Sequence, residues 1–323
     1  MTILDLPLLS VAKLRHGNKH ARAAELYKVK EAAQITGFGI LSECGEDVPP
    51  LLVEDLFDKW NRIRALPKDC LEEITLDRAV DCSNRGFEGL GAQALDPKSP
   101  AGSGDHNISY RCTEDRNPDL DALIPRPTPK WAGLFNKENK WPPIQGFKET
   151  ALLYLRGNWN TAEIVFRGIE DAFKMPTAHI RSKRTERVDT LRLLYYPAAG
   201  RRQGQVACGE HTDFGTCTIV RRRGRGALEI QLLDGRWIEV RPPEGCAVLN
   251  FADMLQWWTH HTIRSTPHRV ISGRDSQSLV TFCYADFWQE IRDGVTAGDY
   301  LYGKITESYR HSTSALKETV SSG

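Results

Sequence analysis

Apolar side chains recur at helical spacing in three parts of the chain. From about residue 20 to residue 35 they form a stripe that Gly37 can end, and from 52 to 63 they repeat at positions i, i+3, i+4 and i+7 before Pro67. A third stripe runs from about 144 to 173. The pattern therefore predicts two N-terminal amphipathic helices, a short strand at 38–41 between them, and a long helix that braces a sheet.

The spacing changes in the second half of the chain. Between Val188 and Trp288, short runs rich in Val, Ile, Leu, Thr and Tyr alternate with turn signals such as Asp234-Gly235. Repeated short strands of this kind are typical of an antiparallel jelly roll. We therefore predict a mainly β fold with flanking helices around a double-stranded β-helix core, which is a jelly roll of the cupin-like type.

Two other segments interrupt the periodicity. Between 81 and 129, Gly, Pro, Asn, Asp and Ser break every periodic run, and a long irregular stretch in a compact domain is either mobile or functional. After Trp288 the pattern predicts a short helix and then a frayed tail from about Ser312. One domain over 1–323 is the simplest organisation. It would comprise a helical and irregular region at 1–145, the long helix and jelly roll at 146–290, and a C-terminal helix and tail at 291–323.

Composition narrows the range of partners. The 43 basic and 42 acidic residues give a formal net charge of +1, so no overall field favours nucleic acid or an anionic membrane. The basic run Arg-Arg-Arg-Gly-Arg at 221–225 is expected to be a solvated hairpin or loop, without an assigned function. The eight cysteines contain no CxxC pair, which predicts a protein with reduced thiols. The sequence also predicts neither a leader nor a membrane span, so we expect a cytoplasmic protein. We further expect it to be monomeric or weakly associating.

The most informative chemistry lies at His211-Thr212-Asp213 and at His268. Residues i and i+2 on a strand project from the same face, so His211 and Asp213 can both point inward. Two imidazoles and one carboxylate form the ligand set that holds non-haem Fe(II) and leaves coordination positions open for oxygen and a substrate. His260 and His261 compete for the third position, but they lie in a segment that is typical of a turn.

Four segments surround these residues in a fixed order, at 191–197, 211–215, 248–256 and 265–270. The series resembles the isopenicillin N synthase-like family of Fe(II)/2-oxoglutarate-dependent dioxygenases. Segments at 3–6, 36–40 and 139–142 are similar to landmarks of the N-terminal half of that family, so the resemblance covers roughly residues 1–290.

The resemblance implies an oxidoreductase with iron bound by His211, Asp213 and His268, without further catalytic side chains. It also implies 2-oxoglutarate as co-substrate, O₂ as oxidant, and a small-molecule substrate that is hydroxylated, desaturated or closed into a ring in specialised metabolism.

The same resemblance assigns Tyr196 and Ser278 to the binding of 2-oxoglutarate. Two residues depart from the family pattern. Leu194 stands where relatives often carry asparagine, and Ser276 stands where an arginine of an Arg-x-Ser motif would bind the far carboxylate. A guanidinium matters there since it donates two hydrogen bonds to both carboxylate oxygens. Arg274 has the strand parity of position 276 and is the first candidate to replace it, whereas Arg192 and Arg264 are weaker candidates.

Substrate-binding residues are harder to identify from the sequence. Arg85 and Arg111 lie in the irregular region that would roof the iron and can bind a substrate carboxylate, although both are also compatible with ordinary surface arginines. Phe282 on the last long strand either lines the pocket or fills the core. Two rival functions remain open, namely an Fe(II) oxidase that does not use 2-oxoglutarate, as in isopenicillin N synthase, and a non-catalytic cupin-like binding module. The substrate and the product are not identified by the sequence.

Overall fold

The computed structural model describes residues 5–76, 84–96, 98, 104–115, 122, 124–135, 137–198, 206–224, 227–271 and 274–320. The landmark at 3–6, the irregular stretch at 81–129 and the basic run at 221–225 each fall partly outside these residues.

Helices form where the apolar stripes predict them. Asn18 begins the first long helix, because its side chain accepts a hydrogen bond from the Ala21 N–H at 2.9 Å. That helix continues into one π-helical turn, Ala32–Thr36, and Gly37 ends it with φ 70°. The helices are α1 (Val11–His16), α2 (Lys19–Glu31), α3 (Pro50–Arg64), α4 (Lys68–Ile74), α5 (Ala132–Phe135), α6 (Phe147–Ala172), α7 (Asp253–Trp258) and α8 (Ala297–Val320).

The strands are short, as the alternating runs predict. They are β1 (Leu8–Ser10), β2 (Phe38–Ser42), β3 (Gly86–Glu88), β4 (Ile108–Thr113), β5 (Thr190–Tyr196), β6 (Cys208–His211), β7 (Cys217–Gly224), β8 (Ala227–Gln231), β9 (Trp237–Val240), β10 (Ala247–Phe251), β11 (His268–Ile271), β12 (Ser276–Cys283), β13 (Glu290–Arg292) and β14 (Val295–Thr296).

Two sheets face each other and enclose the core of the jelly roll. Within the described residues the larger sheet has the order β1-β2-β10-β7-β12-β5-β4-β3, and the smaller sheet has the order β6-β11-β8-β9. Apolar side chains of both sheets pack between them, for example Ile40 and Val248 against Ile230 and Val240. The order is that of a double-stranded β-helix, so the predicted jelly roll is confirmed.

Helices cover the outer face of the larger sheet. Tyr154 and Leu155 of α6 lie in one buried cluster with Leu191 of β5 and Leu279 of β12. The same cluster contains Leu56 and other apolar residues of α3. The large sheet is therefore buried on both faces, and the charged residues of its central strands must find partners on one side or the other.

The structure corrects three expectations from the sequence. The irregular stretch contains strands β3 and β4, and β4 is fully integrated beside β5. The residues after Ser312 continue α8 up to Val320 instead of fraying. Residues 221–224 of the basic run form the end of β7 and pair with β12. Arg221 and Arg223 have partners on the helices that cover one face of the sheet, and Arg222 lines a cavity on the other face. No described helix combines the length and apolar character that a membrane span needs.

Candidate metal centre and adjoining cavities

Neighbouring strands bring the three predicted ligands together. His211 is the last residue of β6, Asp213 follows two positions later, and His268 is the first residue of β11. Strands β6 and β11 are antiparallel, and His268 lies directly opposite His211. Side chains of directly opposed residues point to the same face of a sheet, so both imidazoles project into the space between the sheets.

The ligand atoms converge on one point. One donor atom from each of His211, Asp213 and His268 lies within 4.8 Å of the other two. Asp213 Oδ1 is 3.7 Å from His211 Nε2 and 3.8 Å from His268 Nε2. A metal ion at about 2.1 Å from each donor atom fits this spacing, and two imidazoles with one carboxylate on one side form a facial ligand set.

Hydrogen bonds to backbone carbonyls orient both imidazoles. His211 Nδ1 lies 2.7 Å from the Gly209 carbonyl oxygen, and His268 Nδ1 lies 3.2 Å from the Thr266 carbonyl oxygen. A carbonyl oxygen only accepts, so each Nδ1 carries the proton and donates. Each Nε2 therefore presents a lone pair to the metal position, which is the usual arrangement around metal-bound histidines.

The carboxylate is held by residues outside the ligand set. Asn250 Nδ2 donates to Asp213 Oδ2 at 2.6 Å, which leaves Oδ1 directed at the histidines. Asp253 supports the turn between the ligands, because its carboxylate accepts from Thr212 Oγ1 at 3.1 Å and from the Tyr300 hydroxyl at 2.6 Å. The backbone N–H of Asp253 also donates to the Asp213 carbonyl oxygen at 3.0 Å.

Burial favours the neutral form of the His211 imidazole, which is the form that binds a metal cation. Desolvation, reinforced by the nearby His268, lowers the pKa of His211 to about 4, although Asp213 acts in the opposite direction. The imidazole is therefore neutral at neutral pH and available as a ligand. His260 and His261 do not compete, because both are exposed after α7 with φ values of 46° and 61°.

An inner cavity extends from the metal centre between the two sheets. Its lining includes His211, Asp213, Arg192, Tyr196, Arg222 and Ser278. Tyr196 and Ser278, which the resemblance assigns to 2-oxoglutarate, thus lie on its wall. The cavity combines apolar walls with a few polar groups, as is typical of small-molecule sites.

Two further cavities adjoin the same centre. The outer cavity has a volume of about 490 Å³, within the usual range for small-molecule sites, and its lining includes Leu95, His211, Phe214, Lys304 and Ser308. The side cavity is lined by Arg111, Arg192, Phe282 and Tyr284, together with His211 and Asp213. Residues of α8 border both spaces, so this helix forms part of their wall.

The predicted substrate residues have different surroundings. Arg111 lies on β4 and donates to Tyr309 at 2.6 Å, to Gln93 at 2.7 Å and to the carboxylate of Glu88. Phe282 lines both the inner and the side cavity. Arg85 is buried and donates to the Leu134 carbonyl oxygen at 3.1 Å, and it is not among the residues that line these three cavities.

The remaining 2-oxoglutarate residue, Arg274, is exposed and does not reach the inner cavity wall. It lies at the surface before β12 begins at Ser276, so the alternation of side chains along the strand does not extend to it. Arg264 is also remote, since its guanidinium donates to the Ile35 carbonyl oxygen.

The sequence did not indicate a role for Arg222, Asn250 or Asp253 at the site. The signal for Arg222 was strand parity with Thr218 and Val220, which is visible only if the basic run is assigned to a strand.

Comparison with known proteins agrees with this geometry. Residues 187–285 match the model of the 2OG-Fe(II) oxygenase superfamily. The chain is 25% identical over 335 residues to the 2-oxoglutarate-Fe(II) type oxidoreductase hxnY of Emericella nidulans, covering 97% of this chain and 93% of that protein. It is 26% identical over 332 residues to clavatol oxidase claD of Penicillium crustosum, covering 94% and 96%.

Solved structures share the fold. A full-length Neurospora crassa protein, crystallised in complex with alpha-KG, superposes with a TM-score of 0.77 at 24% identity, covering 93% of this chain and 96% of that one. At this level of identity the likeness concerns the fold alone.

Proposed function

We propose that His211, Asp213 and His268 hold Fe(II) in this chain, which belongs to the 2OG-Fe(II) oxygenase superfamily and is a 2-oxoglutarate-dependent dioxygenase. The convergence of three ligand atoms within 4.8 Å carries this assignment. When bound, iron and 2-oxoglutarate supply the activation of O₂. The residues of the chain then have three tasks, which are to hold the metal, to orient the keto acid and to position a substrate.

Orientation of the keto acid falls to the inner cavity in this proposal. Tyr196 and Ser278 offer hydroxyl groups on adjacent strands, and both line the wall beyond the metal ligands. A hydroxyl donates well to a carboxylate, so the pair suits the free end of a dicarboxylic keto acid that chelates the metal with its other end.

The substrate is a small molecule that enters from the outer cavity, where about 490 Å³ is available next to His211. Phe282 provides an apolar contact near the metal, and Arg111 and its hydrogen-bonded partner Gln93 form part of the wall of the side cavity. Arg85 would act on the substrate only through its neighbours. Relatives named clavatol oxidase and 2-oxoglutarate-dependent dioxygenase citB support a place in specialised metabolism. We also propose a cytoplasmic protein that is monomeric or weakly associating.

A second candidate function rests on Ser276. Without an arginine at that position, the chain is also compatible with an Fe(II) oxidase that takes its electrons from the organic substrate alone. Such an enzyme would turn over with Fe(II), O₂ and substrate in the absence of a keto acid. A strict requirement for 2-oxoglutarate, with formation of succinate, would exclude it.

Anaerobic titration of the Fe(II)-loaded protein with 2-oxoglutarate tests the proposal directly. We expect one equivalent of Fe(II) per chain and a weak visible charge-transfer band, because a keto acid that chelates Fe(II) produces such a band. The His211→Ala variant should lose both, whereas His260→Ala, which changes an exposed histidine, should keep both. A wild-type protein without stoichiometric iron binding would contradict the proposal and favour a non-catalytic binding module.

A further inference from the structure

We infer that Arg222 binds the distal carboxylate of 2-oxoglutarate and replaces, from a neighbouring strand, the arginine that is absent at position 276. The inference rests on the proposed function, because it requires that the keto acid occupies the inner cavity. It concerns a residue of the basic run at 221–225, which the sequence pattern predicts to be a solvated hairpin or loop. Its support comes from the direction of the side chain, the strand register and the surrounding charges.

Strand alternation separates Arg222 from its basic neighbours. Arg221 is buried against α6, where it donates to Asn158 Oδ1 at 2.8 Å. Arg223 faces α3 and forms ion pairs with Glu54 and Asp58. Both therefore point to the helical face of the large sheet. Arg222 lies between them on the strand and must point to the opposite face, and there it lines the inner cavity.

The strand register places three polar groups together. Ser278 on β12 lies directly opposite Arg222 on β7, and Ser276 lies opposite both Gly224 on β7 and Tyr196 on β5. Arg222 and Ser278 therefore share one cross-strand row of the sheet, and Tyr196 lies in the next row on the same face. The guanidinium of Arg222 and the hydroxyls of Ser278 and Tyr196 form a cluster of hydrogen-bond donors, which is the set that a carboxylate requires.

This donor cluster lies at the correct end of the inner cavity. Asn250, which holds Asp213, is opposite Thr218, and Thr218 is opposite Phe282. Arg222 is four residues beyond Thr218 on the same face of β7. The metal ligands and Arg222 are thus at opposite ends of one cavity. A dicarboxylic keto acid has the matching arrangement, with a chelating group at one end and a free carboxylate at the other.

The local electrostatics favour an anion at this place. Burial lowers the pKa of Arg222, and burial also raises the pKa of Tyr196, with Arg192 and Arg222 acting in the opposite direction on that phenol. Tyr196 and Glu239 act in the opposite direction on the pKa of Arg222, and the Glu239 carboxylate also accepts from Arg241 at 2.9 Å and 2.7 Å. A carboxylate between Arg222 and Tyr196 would offset the desolvation of the guanidinium.

Arg192 is the main rival for the same role. It also lines the inner cavity, but it lies opposite Val280, one row closer to the metal end than Ser278. It borders the side cavity as well, and its Nη2 approaches Asn107 Oδ1 at 3.4 Å. Its position therefore suits the substrate side of the metal better than the far end of the keto acid.

A pair of keto acids tests the inference without relying on turnover. The probes are 2-oxoglutarate and 2-oxopentanoate, which has a methyl group in place of the distal carboxylate. Their dissociation constants are measured by anaerobic titration of the charge-transfer band in Fe(II)-loaded protein. For wild type we expect a preference for 2-oxoglutarate of about 100-fold or more, because a buried, hydrogen-bonded charge pair is lost with the methyl analogue.

The Arg222→Gln variant should bind 2-oxoglutarate about 100-fold more weakly than wild type, while its affinity for 2-oxopentanoate changes by less than about 3-fold. Its Fe(II) stoichiometry should be unchanged, which shows that the variant is folded. Arg223→Gln is the matched control, because this neighbour faces α3, and it should keep the wild-type preference.

Three outcomes would overturn the inference. Arg222→Gln could retain the wild-type preference, or Arg192→Gln could abolish the preference while Arg222→Gln preserves it, which would assign the carboxylate to Arg192. Absence of the band in wild-type protein with either keto acid would contradict the proposed function itself, and the inference would fail with it.

Discussion

The two ends of the inner cavity are built by different means. At the metal end, two of the proposed ligands are separated by one residue and the third lies on the adjacent strand, directly opposite the first. At the far end, the proposed carboxylate donors Tyr196, Arg222 and Ser278 come from three strands of the larger sheet. The metal end thus depends on local spacing and one strand pair, whereas the far end depends on how a whole sheet is assembled.

This difference explains why one end keeps a recognisable sequence pattern and the other does not. A metal ion requires donor atoms at fixed distances and angles, so few alternative positions can supply them. A carboxylate requires a guanidinium at one point in space, and a long flexible side chain can reach that point from several backbone positions. An arginine can therefore be replaced by one on another strand without a change in the chemistry.

The largest expected effect is a loss of Fe(II) affinity when a proposed ligand at the metal end is removed. Asp213→Ala removes the carboxylate that lies between the two imidazoles, and we expect Fe(II) affinity to fall by more than about 100-fold, since even supporting residues contribute about 10-fold to 100-fold. Asp234→Ala, in an exposed hairpin turn, is the control. Anaerobic calorimetry with Fe(II) measures both, and near-normal iron binding by Asp213→Ala would contradict the assignment.

A swap of residues sharpens the comparison at the far end. In the Arg222→Ser/Ser276→Arg variant, a guanidinium starts from the position that the family pattern predicts. Ser276 is buried and lies opposite Tyr196, so its side chain projects from the face of the sheet that borders the inner cavity. We expect the swap to recover at least about 10-fold of the 2-oxoglutarate affinity that Arg222→Ser loses. Equal, weak binding by both variants would show that the position of the guanidinium matters more than its presence.

A smaller effect is expected from the residue that supports the metal ligand. Asn250→Ala removes the donor to Asp213 Oδ2 and frees the carboxylate to rotate away from the histidines. Fe(II) affinity should decrease by about 10-fold, with the affinity for 2-oxoglutarate of the iron-loaded protein almost unchanged. A larger loss of affinity for 2-oxoglutarate than for Fe(II) would contradict the independence of the two ends of the cavity.

The smallest effect concerns one hydroxyl at the far end. Tyr196→Phe should weaken 2-oxoglutarate binding by about 5-fold, which corresponds to one hydrogen bond of about 1 kcal/mol. Tyr195→Phe is a matched control, because that ring lies on the opposite face of β5 and stacks with Arg64. Titration of the charge-transfer band measures the affinity of both variants for 2-oxoglutarate. Equal effects of the two substitutions would contradict a hydrogen bond from Tyr196 to the keto acid.

Much of the fold could be predicted from local patterns. The stripes at 20–35, 52–63 and 144–173 correspond to α2, α3 and α6, because a buried helical face has to repeat with the period of the helix. The strand β4 was missed, since its sequence Ile-Ser-Tyr-Arg-Cys-Thr is polar at every second position, including Arg111 in the wall of the side cavity. The basic run was misread for the same reason. Charged residues are rare in central strands, and only partners from other elements make them acceptable there.

The sequence by itself determined the jelly-roll class and the resemblance to Fe(II)/2-oxoglutarate-dependent dioxygenases, and it predicted the three proposed metal ligands. His211 and Asp213 are close in the chain, and strand geometry alone brings their side chains to one face. Tertiary structure decided which arginines line the inner cavity, namely Arg192 and Arg222. The exposure of Arg274, the outward direction of Arg221 and Arg223, and the inward direction of Arg222 all follow from where β7 and β12 begin, end and pair. Register between strands that are distant in sequence is set by the packing of the whole sheet, so no local pattern contains it.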